Sequence, residues 1–513
     1  MLLIHPVRTL PSFLLPLAGV LFVGGFSITS YVWALAGLGV AVLFALVRWA
    51  TFTYVIVGDR LETRRSLISS SVRTIPLERV RGVDVSTPPM HRLLGLAVVK
   101  IDTGASGGDE EAELDGVTLA EAERLRAVLL RRARTADNAA HSATHQAAHA
   151  DARHPPSAAP TTSAASAASA AHAPAGPSQH VVMRVPRAWL VYGPLSGSYL
   201  LTPFALAGGA VGLAVQWGND LGLGRDAAFS AGEWLWGHPY LLLVVALLLV
   251  VAMPFAGGLM YAVFTWDFVL LHRDGYLVAE RGLINRRSVS LESRRVRGYE
   301  VVEGLAERWA GVCRVWAIVT GLGDSETRGQ LLPVVPRATA TQVTADAIGP
   351  YQAELRPHPP VARNRRLFRA VFPWLVLAAT AAAGLWLTGT ALWWFLLAPA
   401  LLLAAVGVPL GLDRYASLGH GYDGTRLSVR SGSLRRSQAV VEQRAVVGWR
   451  VRQTWFQRRA GVYTVTAGVG AGKGGYSAVD VSGEQAAGLP AEVTPSWLSP
   501  FLTDHPDRTT TQP

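Results

Sequence analysis

The chain has 513 residues, of which 50% are hydrophobic and only 16% are charged, and its formal net charge is +11. So apolar a composition is unusual for a soluble protein, which argues against that class and predicts membrane segments. The single cysteine, Cys313, excludes an intrachain disulfide and a cysteine-based metal site, and we expect it in an apolar core. Basic charge beside apolar stretches favours an anionic leaflet as the partner and argues against nucleic acid.

Long uncharged stretches predict six membrane-spanning helices. A spanning helix needs about 20 apolar residues, so the first and last stretches each hold two helices and the middle two form a pair. Arginines flank the hairpins, so the positive-inside rule places both termini and the segments between hairpins in the cytoplasm. A cleaved signal peptide is the alternative for the first stretch, but no A-x-A site follows it. The predicted helices are 11–28 with 31–47, 191–215 with 240–261, and 371–387 with 391–412.

Between the hairpins, the sequence changes to short β-like runs separated by Gly, Asp and Ser, which is typical of a small antiparallel sheet or barrel. A helical period follows at 118–134, where Thr118 and Glu121 form a capping-box signature. A second such helix is predicted at 338–355. The apolar face of the first helix comprises Leu119, Ala122, Leu125 and Leu129.

These patterns predict an α+β membrane protein in which each of three transmembrane hairpins precedes a strand-rich cytoplasmic module with a C-terminal helix. The hairpins occupy 1–51, 186–262 and 356–412, and the modules occupy 52–134, 263–355 and 413–502. The remaining segments are a linker at 135–185 and a disordered tail at 503–513.

The linker is rich in Ala, Ser, His and Pro, and it cannot bury enough surface to offset its ordering entropy. His141, His145 and His149 lie at helical spacing, with His154 beyond them. A metal-binding histidine face is one interpretation, and a low-complexity tether is the favoured one. We therefore expect no metal and no cofactor.

One segment of the chain occurs three times, at 61–82, 277–298 and 427–448. Each copy begins with Leu and ends with Gly, and a second Gly follows 13 residues later with Arg three positions before it. This ungapped register indicates a true internal repeat. We expect the glycines to mark turns or bulges, and the arginines to bond backbone carbonyls. The recurring positions are Gly82, Gly298 and Gly448, Gly95, Gly311 and Gly461, and Arg92, Arg308 and Arg458.

The repeat is strongly basic, which makes its arginines the candidate lipid- or partner-binding residues. An arginine near an anionic leaflet contributes about 1 kcal/mol to membrane binding, and guanidinium binds phosphate bidentately. The alternative is that these arginines only set the membrane topology. The candidates are Arg64, Arg65, Arg73, Arg79, Arg81, Arg281, Arg286, Arg287, Arg294, Arg295, Arg297, Arg435, Arg436 and Arg444.

The segments LETRRSLISSSVRTIPLERVRGVDV and LVAERGLINRRSVSLESRRVRGYEV resemble the bacterial PH-domain membrane proteins of the second bacterial PH class, the YdbS/YdbT-like proteins. The shared pattern is an L-x-x-x-x-G hairpin, a basic turn and I/L-P-L-x-R-V. Copy one departs from it at Ser66, copy two lacks the Pro, and copy three reads VVEQRAVVG. The resemblance implies PH-like antiparallel barrels, each closed by its C-terminal helix, in the bacterial cell membrane. It also implies assembly with a smaller single-repeat relative, and roles in envelope stress or toxin susceptibility are suggested for some relatives.

Enzyme signatures such as H-E-x-x-H and G-x-S-x-G are absent from the sequence, so we expect no enzyme. The predicted function is a membrane scaffold whose modules engage anionic lipid headgroups, membrane protein partners or both, with its oligomeric state left open. The alternative is a subunit of a transporter or exporter. Ionisable residues inside the bilayer would favour transport, but the cores of the predicted spans carry none.

Overall fold

The computed structural model describes residues 52–57, 60–66, 70–76, 82–102, 112–131, 179–197, 201–220, 237–320 and 329–498, with isolated positions at 29–40, 80, 199 and 230–234. The chain divides into two compact units, Met1–Glu292 and Ser293–Pro513.

Each module begins with a three-stranded antiparallel meander, which we call its first half. In the first module this is β1 (Phe52–Val57), β2 (Arg60–Ser66) and β3 (Ser70–Pro76). The second has β8 (Val269–Arg273), β9 (Tyr276–Arg281) and β10 (Arg286–Glu292), preceded by β7 (Gln179–Arg184). The third has β14 (Gly419–Tyr422), β15 (Arg426–Gly432) and β16 (Arg435–Glu442).

The second half of each module runs strand, short helix, strand, strand and helix. In the first module these are β4 (Gly82–Thr87), α1 (Pro89–Leu93), β5 (Leu96–Asp102), β6 (Ala112–Thr118) and α2 (119–131). The second has β11 (Val296–Gly304), α5 (Leu305–Trp309), β12 (Val312–Val319), β13 (Gln330–Pro336) and α6 (Arg337–Ala347). The third has β17 (Val446–Arg452), α9 (Trp455–Arg459), β18 (Tyr463–Val469), β19 (Gly475–Val481) and α10 (Gly483–Val493), followed by α11 (Pro495–Leu498).

The apolar helices are α3 (Thr202–Asp220), α4 (Pro239–Thr265), α7 (Pro360–Thr388) and α8 (Trp394–Ala416). Short 3-10 turns occupy Arg187–Ser196, Ser293–Arg295, Ala391–Trp393 and Gln443–Ala445.

The strands form four antiparallel sheets, and two of these sheets cross module boundaries. The orders are β1-β2-β3, β6-β5-β4-β10-β9-β8-β7, β13-β12-β11-β16-β15-β14 and β17-β18-β19. The predicted antiparallel α+β class is therefore confirmed. The pairing of the described strands, however, links each module's second half to the next module's first half rather than showing each module closed as a separate barrel.

The core of the first unit joins α2 to strands from two modules. Ala122, Leu125 and Leu129 of α2 are buried with Val99 of β5 and Val278 of β9. This is the predicted face, since residues three and four apart lie on one side of a helix. The predicted cap is also present, because the Glu121 amide donates to Thr118 Oγ1 at 3.3 Å. Leu119, in contrast, is 49% exposed, so its assignment to the face is wrong.

In the second unit, Ala486, Leu489 and Val493 of α10 pack on β15 and β17–β19. The helix predicted at 338–355 ends earlier, at Ala347. Gly349 has a positive φ of 133° and Pro350 follows it, a combination that does not continue a helix. The chain then runs to Arg356, which forms an isolated antiparallel bridge with His420. Cys313 is fully buried, as predicted.

Among the described residues, three helices are long and apolar enough to cross a membrane: Tyr240–Thr265, Pro360–Thr388 and Ala391–Ala416. The two helices of the third predicted hairpin are present, with Gly389 in the left-handed conformation at their turn. The helix predicted at 191–215 is partly wrong, because Arg187–Ser196 is a 3-10 turn and Thr202–Leu213 is a shorter apolar helix. The hairpin predicted at 11–47 lies outside the described residues except at isolated positions.

Small residues hold α7 and α8 close together. Ala378 and Ala381 pack against Leu397 and Ala400, and a Cβ on Gly407 would lie 2.6 Å from the Ala370 carbonyl oxygen. Helices in lipid associate through such close packing of small residues, because lipid tails are as apolar as the side chains and the hydrophobic effect does not drive the helices together.

Candidate partner- and membrane-binding surfaces

Two strand pairs join consecutive modules: β4 with β10, the first junction, and β11 with β16, the second junction. Thr87 lies opposite Arg286 in the first and Glu303 lies opposite Arg436 in the second. Thr87 and Glu303 each come five residues after the Gly that closes their repeat copy, and Arg286 and Arg436 each come nine after the opening Leu. The two junctions therefore have the same register.

Ion pairs reinforce both junctions. Arg287 contacts the Asp84 carboxylate at 2.7 Å in the first, and Arg436 contacts the Glu303 carboxylate at 2.6 Å in the second. Both carboxylates are buried, so removing either arginine would leave a buried charge without that partner. Arg287 and Arg436, two of the candidate lipid-binding residues, are thus engaged in joining modules.

The arginines that precede the second repeat glycine also belong to the junctions. Arg92 donates to the Leu283 carbonyl at 3.1 Å, and Arg308 donates to the Ser433 carbonyl at 3.1 Å. Leu283 and Ser433 occupy the same place in the β9–β10 and β15–β16 turns. The predicted bond from these arginines to backbone carbonyls is confirmed at both positions. Arg458, the third member, is exposed.

The other candidate arginines divide by exposure. Burial lowers the pKa of Arg281, and Arg444 pairs with Glu442 at 2.6 Å. Arg286, Arg294 and Arg435 are exposed, while Arg295 and Arg297 are half-buried. In the first module, Arg64, Arg65 and Arg73 lie on β2 and β3, whereas Arg79 and Arg81 lie outside the described residues.

The turn between β9 and β10 is tied to the end of a candidate span. The Leu283 amide donates to the Val263 carbonyl of α4 at 2.9 Å, and the Gly282 amide donates to the Trp266 carbonyl at 2.9 Å. The turn exposes Leu283 and Ile284 beside Arg286. An apolar and basic tip therefore lies where this helix ends.

The second unit repeats this arrangement. The Ser433 hydroxyl donates to Asp413 of α8 at 3.0 Å, and the neighbouring Leu434 is 58% exposed beside Arg435. Arg308 of α5 also pairs with Asp413, at 2.7 Å, which brings the adjacent Trp309, 81% exposed, to the same helix end.

The third module presents aromatic residues at the start of α7. The Arg365 guanidinium donates to the Phe456 carbonyl of α9 at 2.7 Å. Trp455 and Phe456 are both exposed, and Arg459 lies 4.0 Å from the centre of the Trp455 ring. We call Trp309, Leu434, Arg435, Trp455 and Phe456 the membrane-proximal rim. The sequence reasoning missed its aromatic members, although each lies close to a repeat arginine that the same reasoning singled out.

Buried polar groups fix the start of α7 to the third module. Asp480 is fully buried and pairs with Arg365 at 3.2 Å and with Arg366 at 3.0 Å. Nearby, His420 Nδ1 and His358 Nε2 lie 3.0 Å apart, within hydrogen-bond distance. Burial is the main cause that lowers the pKa of each of these histidines to about 4; the next cause is the His420 ring for His358 and the Arg356 guanidinium for His420.

Among the described ranges, no group of three or more His, Cys, Asp or Glu side chains is arranged to hold a metal ion. The predicted histidine face of the linker, with His141, His145, His149 and His154, lies outside these ranges. The surfaces above offer guanidinium groups and exposed aromatic rings, which suit anionic headgroups and the lipid interface.

Comparison with known proteins agrees with the triple repeat. The model of the bacterial PH domain matches residues 9–133, 221–347 and 371–492. The chain is similar to the UPF0699 transmembrane protein YdbT of Bacillus subtilis (strain 168), with 22% identity over 479 residues that cover 90% of this chain and 89% of the relative. No solved structure matches.

Proposed function

This chain belongs to the bacterial PH domain family, as a transmembrane member of it, and from that premise we propose that it is a membrane scaffold without catalytic activity. Its modules lie against the cytoplasmic leaflet, bind anionic headgroups through the rim, and hold membrane protein partners. Such a partner would be a smaller single-repeat PH-domain membrane protein. Roles in envelope stress or toxin susceptibility stay predictions from the resemblance.

The observation that carries the lipid part is the position of the rim at the ends of the spans. Trp309 and Leu434 lie beside residues bonded to Asp413 of α8, and Phe456 is bonded to Arg365 of α7. Tryptophan is favoured at the membrane–water interface because its ring is amphipathic. An exposed arginine there gains about 1 kcal/mol from an anionic leaflet.

The arginines of the repeat have different roles in this function: some bind headgroups and others join modules. Arg435 is exposed at the rim and free to meet a headgroup, whereas Arg436, the next residue, contacts the Glu303 carboxylate. Both are positive in the sequence, but only the first can bind a phosphate without breaking a junction. The scaffold part is supported by the junctions, which join the modules through shared sheets and buried ion pairs.

Transport by the spans stays the alternative prediction. It has less support from the described third hairpin, whose helices pack through Ala378, Ala381, Ala400 and Gly407. These small apolar residues offer no chain of ionisable groups across the bilayer, and such groups mark ion and substrate pathways.

The test uses the full-length protein in nanodiscs and measures retained phosphatidylglycerol by native mass spectrometry. We expect Arg435→Glu to weaken anionic lipid binding about fivefold or more, because the change removes one attractive charge and adds a repulsive one. Combining it with Trp455→Ser should weaken binding further. Arg124→Glu is the control, since Arg124 is exposed on α2, where it pairs with Glu121 at 3.7 Å.

Equal retention of phosphatidylglycerol by all these variants at low salt would refute the lipid part. The orientation is tested separately, by labelling single cysteines placed at Arg124 and Thr390 in intact cells. The scaffold model expects the first to be protected by the membrane and the Thr390 turn to be labelled, because that turn joins the two helices of the third hairpin on the outer side.

A further inference from the structure

We propose that the outer edge of β17 is the docking site for a strand of a second protein: a carboxylate-bearing edge strand from the first half of another PH module, paired in the register of the two internal junctions. This inference rests on the proposed scaffold function and names the surface and chemistry by which the partner binds.

The first argument is the position of β17 in the repeat. Its counterparts β4 and β11 each pair on one side with their own module and on the other with the next module. In the described part of the chain, β17 pairs with β18 and is the outer strand of its sheet. The third module is therefore left with the same edge that the first two modules use for a junction.

The second argument is exposure. In β11, Glu300 and Val302 are buried, with 7% and 1% exposed. Their counterparts in β17, Arg450 and Arg452, are both exposed, and the neighbouring Val447 and Val451 are 69% and 54% exposed. An exposed edge strand with apolar side chains is a template for pairing with another chain.

The glycines at the start of these strands show the same difference. A Cβ on Gly298 of β11 would lie 2.0 Å from the Val440 carbonyl oxygen across the junction. A Cβ on Gly448, its counterpart in β17, would meet nothing within 4 Å. The space that the partner strand fills at the second junction is open beside β17.

The third argument is an arginine that the junctions use. Arg92 and Arg308 donate to the carbonyl in the turn of the next module's hairpin. Arg458 stands at the same repeat position beside β17 and is exposed. The edge thus carries both the strand and the turn-binding group of a junction.

Charge identifies the partner. In the internal junctions, the residue two positions after the closing Gly is acidic: Asp84 in β4 and Glu300 in β11. In β17 it is Arg450, and Arg452 follows it. Since opposite charges stabilise cross-strand pairs and like charges destabilise them, the strand that fits this edge carries carboxylates.

A second copy of this chain fits less well. Its β3 is the counterpart of β10 and β16, and it is the outer strand of the described sheet β1-β2-β3. The position facing Arg450 in the junction register, filled by Val289 and Ala439 at the internal junctions, is Arg73 in β3. Two arginines would then lie directly opposite each other.

The test turns β3 into an acidic probe. Two differently tagged full-length copies are expressed together in membranes: a receptor with Val451→Cys and a probe with Val72→Cys and Arg73→Glu. Positions 451 and 72 correspond to Val301 and Gln438, which lie opposite each other in the second junction. Native Cys313 is fully buried, with its pKa raised by burial to about 12, so it does not compete for cross-linking.

We expect the acidic probe to form a mixed disulfide about three- to tenfold more than a Val72→Cys probe that keeps Arg73, because a like-charge pair becomes an opposite one. Adding Arg450→Glu to the receptor should cancel this gain and should raise cross-linking to the probe that keeps Arg73. A probe with Ser71→Cys in place of Val72→Cys is the register control and should stay at background, since adjacent strand residues face opposite sides.

Equal cross-linking of both probes would overturn the acidic partner and identify a second copy as the occupant. Background cross-linking by every probe, with all copies folded and present in the membrane, would overturn the docking edge itself. Phosphatidylglycerol retention is measured on the same receptor. A loss there with intact cross-linking would count against the lipid part of the proposed function and not against this edge.

Discussion

Removing Arg308 should destabilise the second module far more than removing Arg458, although both arginines hold the same repeat position. Arg308 is 11% exposed and donates to both carboxylate oxygens of Asp413, at 2.7 and 3.0 Å, and to the Ser433 carbonyl at 3.1 Å. Arg458 is exposed beside the open edge of β17.

The expected cost follows from these bonds. A hydrogen bond to a charged group contributes about 1.5–3 kcal/mol, and breaking a fully buried ion pair costs about 3–5 kcal/mol. Asp413 is 29% exposed, so water replaces part of what the guanidinium supplied. We expect Arg308→Ala to lower the opening free energy of the module by about 2–3 kcal/mol. Arg458→Ala should change it by less than about 0.5 kcal/mol.

Cys313 gives a direct readout, because it is the only cysteine of the chain and fully buried, and it lies on β12 just after the helix that carries Arg308. Its labelling by a thiol reagent in detergent requires local opening. Since about 1.4 kcal/mol corresponds to a tenfold change, Arg308→Ala should label about 30- to 150-fold faster than the unmodified chain. Labelling of the two variants within about threefold of each other would refute the assignment of Arg308 to the junction.

Two further predictions use the repeat and the buried histidines. Gly298→Ala should lower the free energy of unfolding by about 2 kcal/mol or more, because the new Cβ would clash with the Val440 carbonyl oxygen and the φ of 154° is unfavourable for alanine. Gly448→Ala should leave it nearly unchanged, and the melting temperatures of the two variants test this difference. The histidine pair predicts acid sensitivity. The folded-state pKa of His358 and of His420 is lowered to about 4 from an ordinary 6.5, so their stabilising contribution is present above pH 6.5 and is lost as pH falls towards 4. Tryptophan fluorescence melts between pH 7.5 and 4.5 should show a decline that His358→Gln with His420→Gln flattens, and an equal decline in that double variant would contradict the assignment.

Local features of the chain were readable from the sequence. The cap at Thr118, the buried face of α2, the turn at Gly389 and the burial of Cys313 all follow from spacing within a few residues. For Arg92 and Arg308, the sequence predicted hydrogen bonds to backbone carbonyls, but it did not identify the carbonyls of Leu283 and Ser433 as the acceptors. The start of the second hairpin was wrong, because an apolar run at 191–200 reads the same whether it forms a 3-10 turn or a helix.

The candidate arginines show where sequence reasoning ends. Arg435 and Arg436 are adjacent and carry the same charge, yet one is exposed and the other pairs with Glu303 at 2.6 Å. Glu303 is 133 residues away along the chain, so no local pattern could name it. The aromatic residues of the rim could not be predicted for the same reason. Trp309 and Phe456 are both placed near the ends of the apolar helices by contacts of α5 with Asp413 and of α9 with Arg365.

The sequence by itself determined the triple repeat, the strand-rich modules, the apolar helices of the third hairpin and the family, because each of these depends on composition, period or spacing along the chain. Only the tertiary structure decided which strands pair across modules. Antiparallel pairing is specified by which backbone edges and which side chains meet, and those partners come from distant segments. The open edge of β17 is likewise a property of the tertiary structure, because its counterparts β4 and β11 are each paired with a strand on both sides.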